Sequence, residues 1–356
     1  MYKQLSIAAL ALGVQTVQTA HAQSSVTMYG IVDAGITYLN NQGGHSSWLE
    51  DTGVLQSNRL GFTGREDLGG GNAAIFTLES GFNVNTGTLG QGGLEFGRQA
   101  FVGLTGNWGT VTLGRQYDFF NDFGGFASCN IAGVYSFHPG DLDRISGERM
   151  NNSVMYVSPI YAGLSAGGIY SFGGQPGSLS TNSAYGLAVR YSSGPARAEL
   201  AYTTVRDQTS TPASYGLTSL FGAPVTGTIT FDRVSTFGAT GEYKLGNARI
   251  RAMYTSSDLV AGTHSSSFQS VETGLLYNIT PALVAGGGLA LSKLENNKWR
   301  QLNVGLDYFL SKRTDVYTSA NLERVTGDGA TARLFTLQGA SNQSQVALRI
   351  GMRHKF

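Results

Sequence analysis

QVALRIGMRHKF, residues Gln345–Phe356, alternates between two kinds of side chain along its whole length. One parity holds Val346, Leu348, Ile350, Met352, His354 and Phe356, and the other holds Ala347, Arg349, Gly351, Arg353 and Lys355. A period of two residues predicts a β-strand with two different faces. Aliphatic residues on one face and arginines on the other fit a strand between lipid and water, because arginines cannot fill the dry interior of a soluble barrel.

The same two-faced alternation recurs through the rest of the chain. Leu302, Val304 and Leu306, for example, oppose Asn303 and Asp307. We identify sixteen such segments, with approximate starts at residues 25, 58, 72, 95, 110, 152, 164, 183, 197, 233, 248, 268, 282, 299, 315 and 345. An even number of antiparallel strands returns both chain ends to the periplasmic side of an outer membrane. The sequence therefore predicts an all-β fold, a 16-stranded antiparallel transmembrane β-barrel.

The connections between these segments alternate between short turns and longer loops. The longer loops are predicted near residues 40–57, 84–94, 118–151, 173–182, 206–232, 257–267, 295–298 and 326–344. Two strands are irregular, because Arg98 and Arg115 share parity with aliphatic neighbours. A β-bulge, or a strand end beyond the hydrocarbon zone, is required at each of them.

The first 22 residues have the pattern of a cleaved export signal. Lys3 supplies a positive start, Leu5–Val14 is a short apolar run, and Ala20–Ala22 fits a small-x-small cleavage site. The mature chain is then expected to begin at Gln23, and residues 23–356 to form a single barrel domain in the outer membrane of a Gram-negative bacterium.

Charge and cysteine content exclude several function classes. Without Lys3 the 24 basic residues become 23, equal to the 23 acidic residues, so no basic excess is available for nucleic acid. Charged residues make up 13% of the chain, about half the usual share. Cys129 is the only cysteine, which rules out an intrachain disulfide. We expect no cofactor, no metal and no nucleic-acid partner.

A barrel of this size predicts a pore. Unpaired backbone groups are costly in hydrocarbon, so strands cross a membrane only as a closed barrel. At about eight strands side chains fill the interior, whereas at about sixteen an aqueous channel remains. Passive diffusion of small hydrophilic solutes and ions is the function that this width favours.

The longest loop, residues 118–151, is unusually aromatic for a solvated segment. Phe119, Phe120, Phe123 and Phe126 lie within the run DFFNDFGGFASCNIAGVYSF. Folding into the lumen would bury these rings against the wall and present the acidic residues of the loop to water. The carboxylates of this predicted constriction are Asp118, Asp122, Asp141, Asp143 and Glu148. Packing on neighbouring loops or on another subunit is the alternative.

Cations are expected on the wall opposite this loop. The candidates, which cluster in or beside strands two to six, are Arg59, Arg65, Arg98, Arg115 and Arg149. Arginine keeps its charge when partly desolvated, so acid on one side and base on the other would set a transverse field across the pore. We favour a preference for anions as a hypothesis. Arg349, Arg353 and Lys355 are expected nearer the periplasmic mouth.

The sequence resembles a known family through several of these segments. The matching stretches are SSVTMYGIVDAGI (Ser24–Ile36), SNRLGFTGREDLGGGNAAIFTLESGF (Ser57–Phe82), GRQAFVGLTGNWGTVTLGRQY (Gly97–Tyr117), NNSVMYVSP (Asn151–Pro159) and RIGMRHKF (Arg349–Phe356). They are similar to the trimeric general porins of beta-proteobacteria, such as those of Neisseria and Burkholderia.

This resemblance implies a homotrimer of sixteen-stranded barrels, each with its third external loop folded inward. It implies an arginine cluster at the constriction, onto which Arg59, Arg98 and Arg149 map. It also implies that the outer-membrane assembly machinery reads the C-terminal Phe356. Outer-membrane lipid and lipopolysaccharide are the expected surroundings. Cys129 has no expected counterpart in the family.

Three other functions compete with a general pore. A substrate-specific channel for sugars or carboxylates would use loop aromatics such as Tyr135 and Phe137, or the arginines. An outer-membrane enzyme is disfavoured, because the histidines are scattered and the chain contains neither GxSxG nor HExxH. A soluble adhesin is disfavoured by the arginine-bearing face of the last segment.

Overall fold

The computed structural model describes residues 25–225 and 227–356. The predicted export signal, residues 1–22, lies outside the described residues. The strands that form the wall are β1 (Ser25–Gln42), β3 (Arg59–Gly69), β4 (Asn72–Gly81), β5 (Gln99–Gly106), β6 (Gly109–Tyr117), β7 (Arg149–Val157), β8 (Leu164–Ser171), β9 (Ala184–Ser193), β10 (Ala196–Ser210), β13 (Ile229–Leu245), β14 (Ala248–Ala261), β15 (His264–Thr280), β16 (Leu283–Leu294), β17 (Asn297–Phe309), β18 (Thr314–Thr326) and β19 (Ser344–Lys355).

Three further strands lie outside this set of sixteen. The strand β2 (His45–Thr52) pairs with the outer half of β1, beyond the part of β1 that pairs with β3. The strands β11 (Ser219–Leu220) and β12 (Ala223–Pro224) form a small separate hairpin within a connection.

The wall closes between its first and last strands. Every neighbouring pair is antiparallel, and β1 pairs with β3 on one edge and with β19 on the other. Closure leaves no unpaired edge, which is the condition for crossing hydrocarbon with strands. The predicted 16-stranded antiparallel barrel is confirmed.

The two faces of the wall differ as the alternation predicted. On β17, Leu302, Val304 and Leu306 are exposed on the outside, whereas Asn303 and Asp307 are buried on the inside. An apolar outer band and a polar interior are typical of a transmembrane barrel with a hydrated lumen. In the described ranges, no helix is long and apolar enough to span a membrane.

The connections at one end of the barrel are short, and those at the other end vary in length. The predicted long loop at 257–267 is wrong, because β14 and β15 continue to Ala261 and His264 and leave only Gly262 and Thr263 between them. The region 40–57 also contains β2 rather than a plain loop. The strands of these two hairpins extend past the apolar band, where polar residues such as Asn40, Asp258 and Gln269 take outward positions and the alternation typical of a lipid-facing strand ends.

The irregularity predicted at two arginines has a structural basis. The β6–β7 register shifts between Gly114 and Gln116, and Gly114 has a φ of +140°. This bulge carries Arg115 out of step with the aliphatic residues before it. Arg98 lies just before β5 begins at Gln99, so it does not belong to the alternating segment.

The connection between β6 and β7 packs on the inner side of the wall. It contains short 3-10 helical segments at Phe119–Phe126, Asn130–Ser136 and Pro139–Asp141. The rings of Phe119, Phe120, Phe123 and Phe126 pack with inward-facing Ile169, Ala188, Ala201 and Met253 from four strands. Further along, Cys129 and Ile131 pack with Leu276, Val284 and Tyr317. We call residues 118–148 the constriction loop.

Candidate pore constriction

The constriction loop is tied to the wall by hydrogen bonds from strands far along the chain. The Ser128 amide donates to Glu272 Oε1 on β15 at 2.7 Å, and Arg251 Nη1 on β14 donates to the Ala127 carbonyl at 3.1 Å. The amide of Gln301 on β17 donates to the Tyr135 carbonyl at 3.0 Å. These bonds hold the loop across the interior of the barrel.

Two glycines of β15 and β16 permit this close approach. A Cβ at Gly274 would overlap the Ser128 backbone, and a Cβ at Gly288 would overlap the Ser128 side chain. Neither glycine has a left-handed φ. These glycines therefore supply space for the loop, and their backbone conformation is one that other residues also adopt.

A cavity of about 790 Å³ remains between the constriction loop and the wall. Its charged lining is mostly basic. The cations on it are Arg59, Arg98, Arg149, Arg190, Arg249, Arg353 and Lys355, and the carboxylates are Asp118, Asp122 and Asp307.

One group of cations is organised around a buried carboxylate. Arg98 Nε donates to Glu79 Oε1 at 2.8 Å, and Arg59 Nη1 lies 3.8 Å from Glu79 Oε2. The Tyr29 hydroxyl donates to the same Oε2 at 2.9 Å. One carboxylate thus holds two guanidinium groups, and the trio keeps a net positive charge.

Arg149 extends this group along the lining. Its Nη2 donates to the Tyr117 hydroxyl at 2.8 Å, and its guanidinium carbon lies 4.5 Å from the centre of the Tyr117 ring. Arg98 approaches the same ring at 5.7 Å. The electron-rich ring stabilises cations without neutralising them.

The loop side of the cavity carries one ion pair to the wall. Arg190 Nη2 lies 2.7 Å from Asp122 Oδ2, and Arg190 Nε donates to Glu199 Oε1 at 3.2 Å. The side chain of Asp122 remains 43% exposed, so it is the loop carboxylate that combines contact with the cavity and access to water.

The expectation that all five loop carboxylates face water is wrong. Asp118 is buried and accepts from Arg144 Nε at 2.7 Å. Asp141 accepts from the Ser146 amide at 2.8 Å and from the Ser146 hydroxyl at 2.6 Å, and burial raises its pKa. Asp143 is fully buried. These groups satisfy polar donors inside the folded loop, because an unpaired buried donor would be costly.

The remaining predicted residues do not meet at the cavity. Glu148 is exposed at the end of the loop but is absent from the lining. Arg65 is exposed on β3, about 20 Å along the strand from Arg59 at the usual rise per residue. Arg115 turns toward the connections, where its Nε donates to the Gly97 carbonyl at 2.8 Å.

Several lining residues were not among the constriction residues predicted from the sequence. They are Arg190, Arg249, Asp307, Arg353 and Lys355. Lys355 and Arg59 both pair with Ile31, well above the start of β1 at Ser25, because the strands of a closed barrel are staggered. This stagger brings Arg353 and Lys355 to the cavity rather than to the mouth. Arg353 and Lys355 lie on the inward-facing parity of the last strand, and this was the one sequence feature that indicated a place in the lumen.

Arg349 is buried on the inner face of the wall. It pairs with Asp51, its Nη2 lies 3.4 Å from Asp33 Oδ1, and its Nε donates to the Tyr317 hydroxyl at 2.8 Å. These contacts make Arg349 a structural partner of the wall carboxylates.

A buried histidine joins the constriction loop to two strands. His138 Nδ1 lies 2.5 Å from Asp143 Oδ2, and its Nε2 lies 3.3 Å from Glu272 Oε2. The Thr255 hydroxyl on β14 donates to Asp143 Oδ2 at 2.5 Å. Burial alone would lower the pKa of His138, but the two carboxylates outweigh burial and raise it to about 10. His138 is therefore an internal cation at neutral pH.

Cys129 is a buried free thiol of the constriction loop. Burial raises the pKa of the Cys129 thiol to about 11, so it stays protonated. In residues 25–225 and 227–356, no group of three or more His, Cys, Asp or Glu side chains is arranged to hold a metal ion.

Comparison with known proteins gives the family. A family model described as Gram-negative porin matches residues 7–328. The chain belongs to the Gram-negative porins. Outer membrane porin protein 32 of Delftia acidovorans is 30% identical over 370 residues, 95% of each chain. The chain is thus itself an outer-membrane channel for passive diffusion.

Solved structures show the same architecture. The anion-selective porin of Comamonas acidovorans superposes with a TM-score of 0.78 at 25% identity, over 94% of this porin and 100% of that chain. The trimer form of OmpT of Vibrio cholerae superposes with a TM-score of 0.68 at 17% identity, over 94% of this porin and 99% of that chain. The porin family and fold are those of channels, not of enzymes.

Proposed function

We propose that this porin is a general diffusion channel whose constriction prefers anions. The observation that carries the proposal is the lining of the cavity, where seven cations meet three carboxylates. One of those carboxylates, Asp118, is already paired with Arg144. A lining with excess positive charge attracts anions and repels cations at the narrowest part of the path. The name of the Comamonas relative agrees with this preference.

The reversal potential across a planar bilayer with a KCl gradient tests the proposal. We expect Arg149→Gln to lower the anion-to-cation permeability ratio about three-fold. This is the effect of removing one charge about 6 Å from a passing ion in a watery, screened environment. Arg65→Gln is the matched control, because Arg65 is exposed but does not line the cavity. A cation-selective wild type, or equal shifts in both variants, would overturn the assignment.

A substrate-specific channel is the alternative function. Of the two loop aromatics predicted to guide sugars, Tyr135 and Phe137, only Phe137 faces the cavity. Tyr135 is 1% exposed and packs with Leu39 and Leu334, so it does not meet the lumen. Phe137 does line the cavity. We expect conductance to rise linearly with salt and not to be blocked by sugars or dicarboxylates. Saturation or block at low solute concentration would favour the specific channel.

We further propose that this porin works as a homotrimer, that residues 1–22 are removed on export, and that Phe356 is read during assembly. The trimer form of the Vibrio relative supports the first proposal. The Phe356 ring lies against Gly30 and is 40% exposed, so part of it stays accessible to a binding partner. Sedimentation in detergent tests the trimer, and N-terminal sequencing beginning at Gln23 tests the cleavage.

A further inference from the structure

Four exposed cations lie together on the outside of the barrel, away from the pore. They are Lys293 on β16, Lys298 and Arg300 on β17, and Arg324 on β18. The residues between them on each strand, such as Ser292, Trp299 and Glu323, are buried on the inside. The four side chains therefore share the outer parity of the wall. We call them the outer basic cluster.

The strand register places these charges against each other in like pairs. Lys293 is the direct partner of Lys298, and Arg300 is the direct partner of Arg324. Directly opposed residues on antiparallel strands have Cα atoms about 5 Å apart, and like charges in such positions are destabilising. Two adjacent repulsive pairs that share β17 are not explained by the stability of the wall.

The cluster also lacks compensating anions in the protein. None of the ion pairs among the described residues includes any of its four members. Glu323, next to Arg324 in the sequence, is buried on the inside, and Glu295, between Lys293 and Lys298, is engaged elsewhere. The Glu295 Oε1 accepts from the Phe221 amide at 2.7 Å and from the Ser266 hydroxyl at 2.6 Å.

The position of the cluster relative to the apolar band indicates what neutralises it. On each strand the next outward residue toward the membrane is a leucine, namely Leu291, Leu302 or Leu322, and all three are exposed. The cations thus begin where the lipid-facing band ends. This end of the barrel carries the constriction loop and the other long connections, which is the external side of an outer-membrane barrel.

We propose that the outer basic cluster binds the phosphate groups of a glycolipid in the outer leaflet, of the lipopolysaccharide type. The acyl chains of such a lipid lie along the leucines, while its phosphates lie level with the four cations. Arg300 and Arg324 suit this ligand because a guanidinium fork binds phosphate oxygens in two parallel hydrogen bonds. A ligand with both apolar chains and anionic headgroups matches both parts of this surface.

Binding of purified lipid A to the folded porin in detergent tests the proposal. The probes are lipid A with its phosphates, lipid A with its phosphates removed, and inorganic phosphate. We expect Arg300→Gln with Arg324→Gln to weaken binding of phosphorylated lipid A about 30-fold, as for two cations beside an anionic membrane surface. Lys312→Gln with Arg313→Gln is the charge-matched control, because both residues are exposed in the short turn at the opposite end.

Each outcome decides the proposal. Loss of affinity in the cluster variant alone, together with weak binding of dephosphorylated lipid A, supports it. Equal affinity in the two variants overturns it, and so does inorganic phosphate that binds at the cluster as tightly as lipid A does. Heat-modifiable gel mobility reports folding of each variant. Single-channel conductance and reversal potential should not change, so a failure of the pore proposal remains distinguishable.

Discussion

Replacing His138 with glutamine should weaken the docking of the constriction loop on the wall, and the loss of docking free energy should depend on pH. His138 is fully buried and bridges Asp143 in the loop and Glu272 on β15. Glutamine keeps a hydrogen-bonding side chain of similar reach but carries no charge at any pH. The substitution therefore removes the titrating cation while leaving the packing of the loop nearly intact.

The expected magnitude follows from the pKa of His138. The pKa rises from 6.5 to about 10 when the loop is docked. A shift of this size corresponds to about 5 kcal/mol of docking free energy, since each unit is worth about 1.4 kcal/mol. Because the docked pKa is the higher one, this contribution is complete below about pH 6.5 and is lost as the pH rises toward 10. The expected slope in that window is about 1.4 kcal/mol per pH unit.

Amide hydrogen exchange of the constriction loop measures this slope. After correction for the intrinsic pH dependence of exchange, protection of the Ser128 and Val134 amides in the wild type should fall about ten-fold per unit between pH 7 and 9.5. Protection in His138→Gln should be lower and independent of pH in that window. His45→Gln, which alters an exposed histidine, should match the wild type. Protection that does not vary with pH in the wild type would refute the assignment of His138 as the docking cation.

Three further substitutions test other parts of the pore. Arg98→Ala should lower anion preference in reversal-potential measurements, because it leaves the buried Glu79 carboxylate with Arg59 at 3.8 Å as its remaining ion-pair partner; an unchanged potential would count against a place in the constriction. Gly288→Leu should displace Ser128 from the wall and raise single-channel conductance, whereas an unchanged conductance would show that the loop does not narrow the pore. Phe356→Ala should reduce the amount of folded porin in outer membranes, as measured by heat-modifiable gel mobility, while refolding in detergent is retained.

The barrel itself was predictable because its determinants are local. Alternation with a period of two is imposed residue by residue when lipid lies on one side and water on the other, as on β17 and β19. Strand number then follows by counting, and closure follows from the need to pair every backbone group. This alternation is lost where strands leave the membrane. Near the β14–β15 hairpin the outward positions are taken by polar residues such as Asp258 and Gln269, while Leu259 and Phe268 pack on the inside, so the lipid-facing alternation does not extend to it.

The membership of the constriction was less predictable, since barrel closure unites residues from distant parts of the chain. Arg59 and Lys355 reach one cavity only because both pair with Ile31 across the seam of the barrel. Inward parity identifies residues such as Arg190 and Arg249 as lumen candidates but contains no information on their depth. Depth depends on the stagger of the strands, which is a property of the closed wall.

The hydrogen bonds of the loop carboxylates connect the folding of the constriction loop with the ion selectivity of the pore. An aromatic loop can enter the lumen only if its buried polar groups have partners; Asp118 and Asp141 accept hydrogen bonds within the loop, and Asp143 accepts one from Thr255 on β14. Carboxylates used in this way contribute little to the field in the water-filled path, because Asp118 and Asp143 are neutralised at close range by Arg144 and His138. Among the wall cations, Arg190 and Arg353 also have carboxylate partners, but Arg59 and Arg98 share Glu79 as their one carboxylate. The same hydrogen bonds that hold the loop in place therefore favour an excess of positive charge in the cavity.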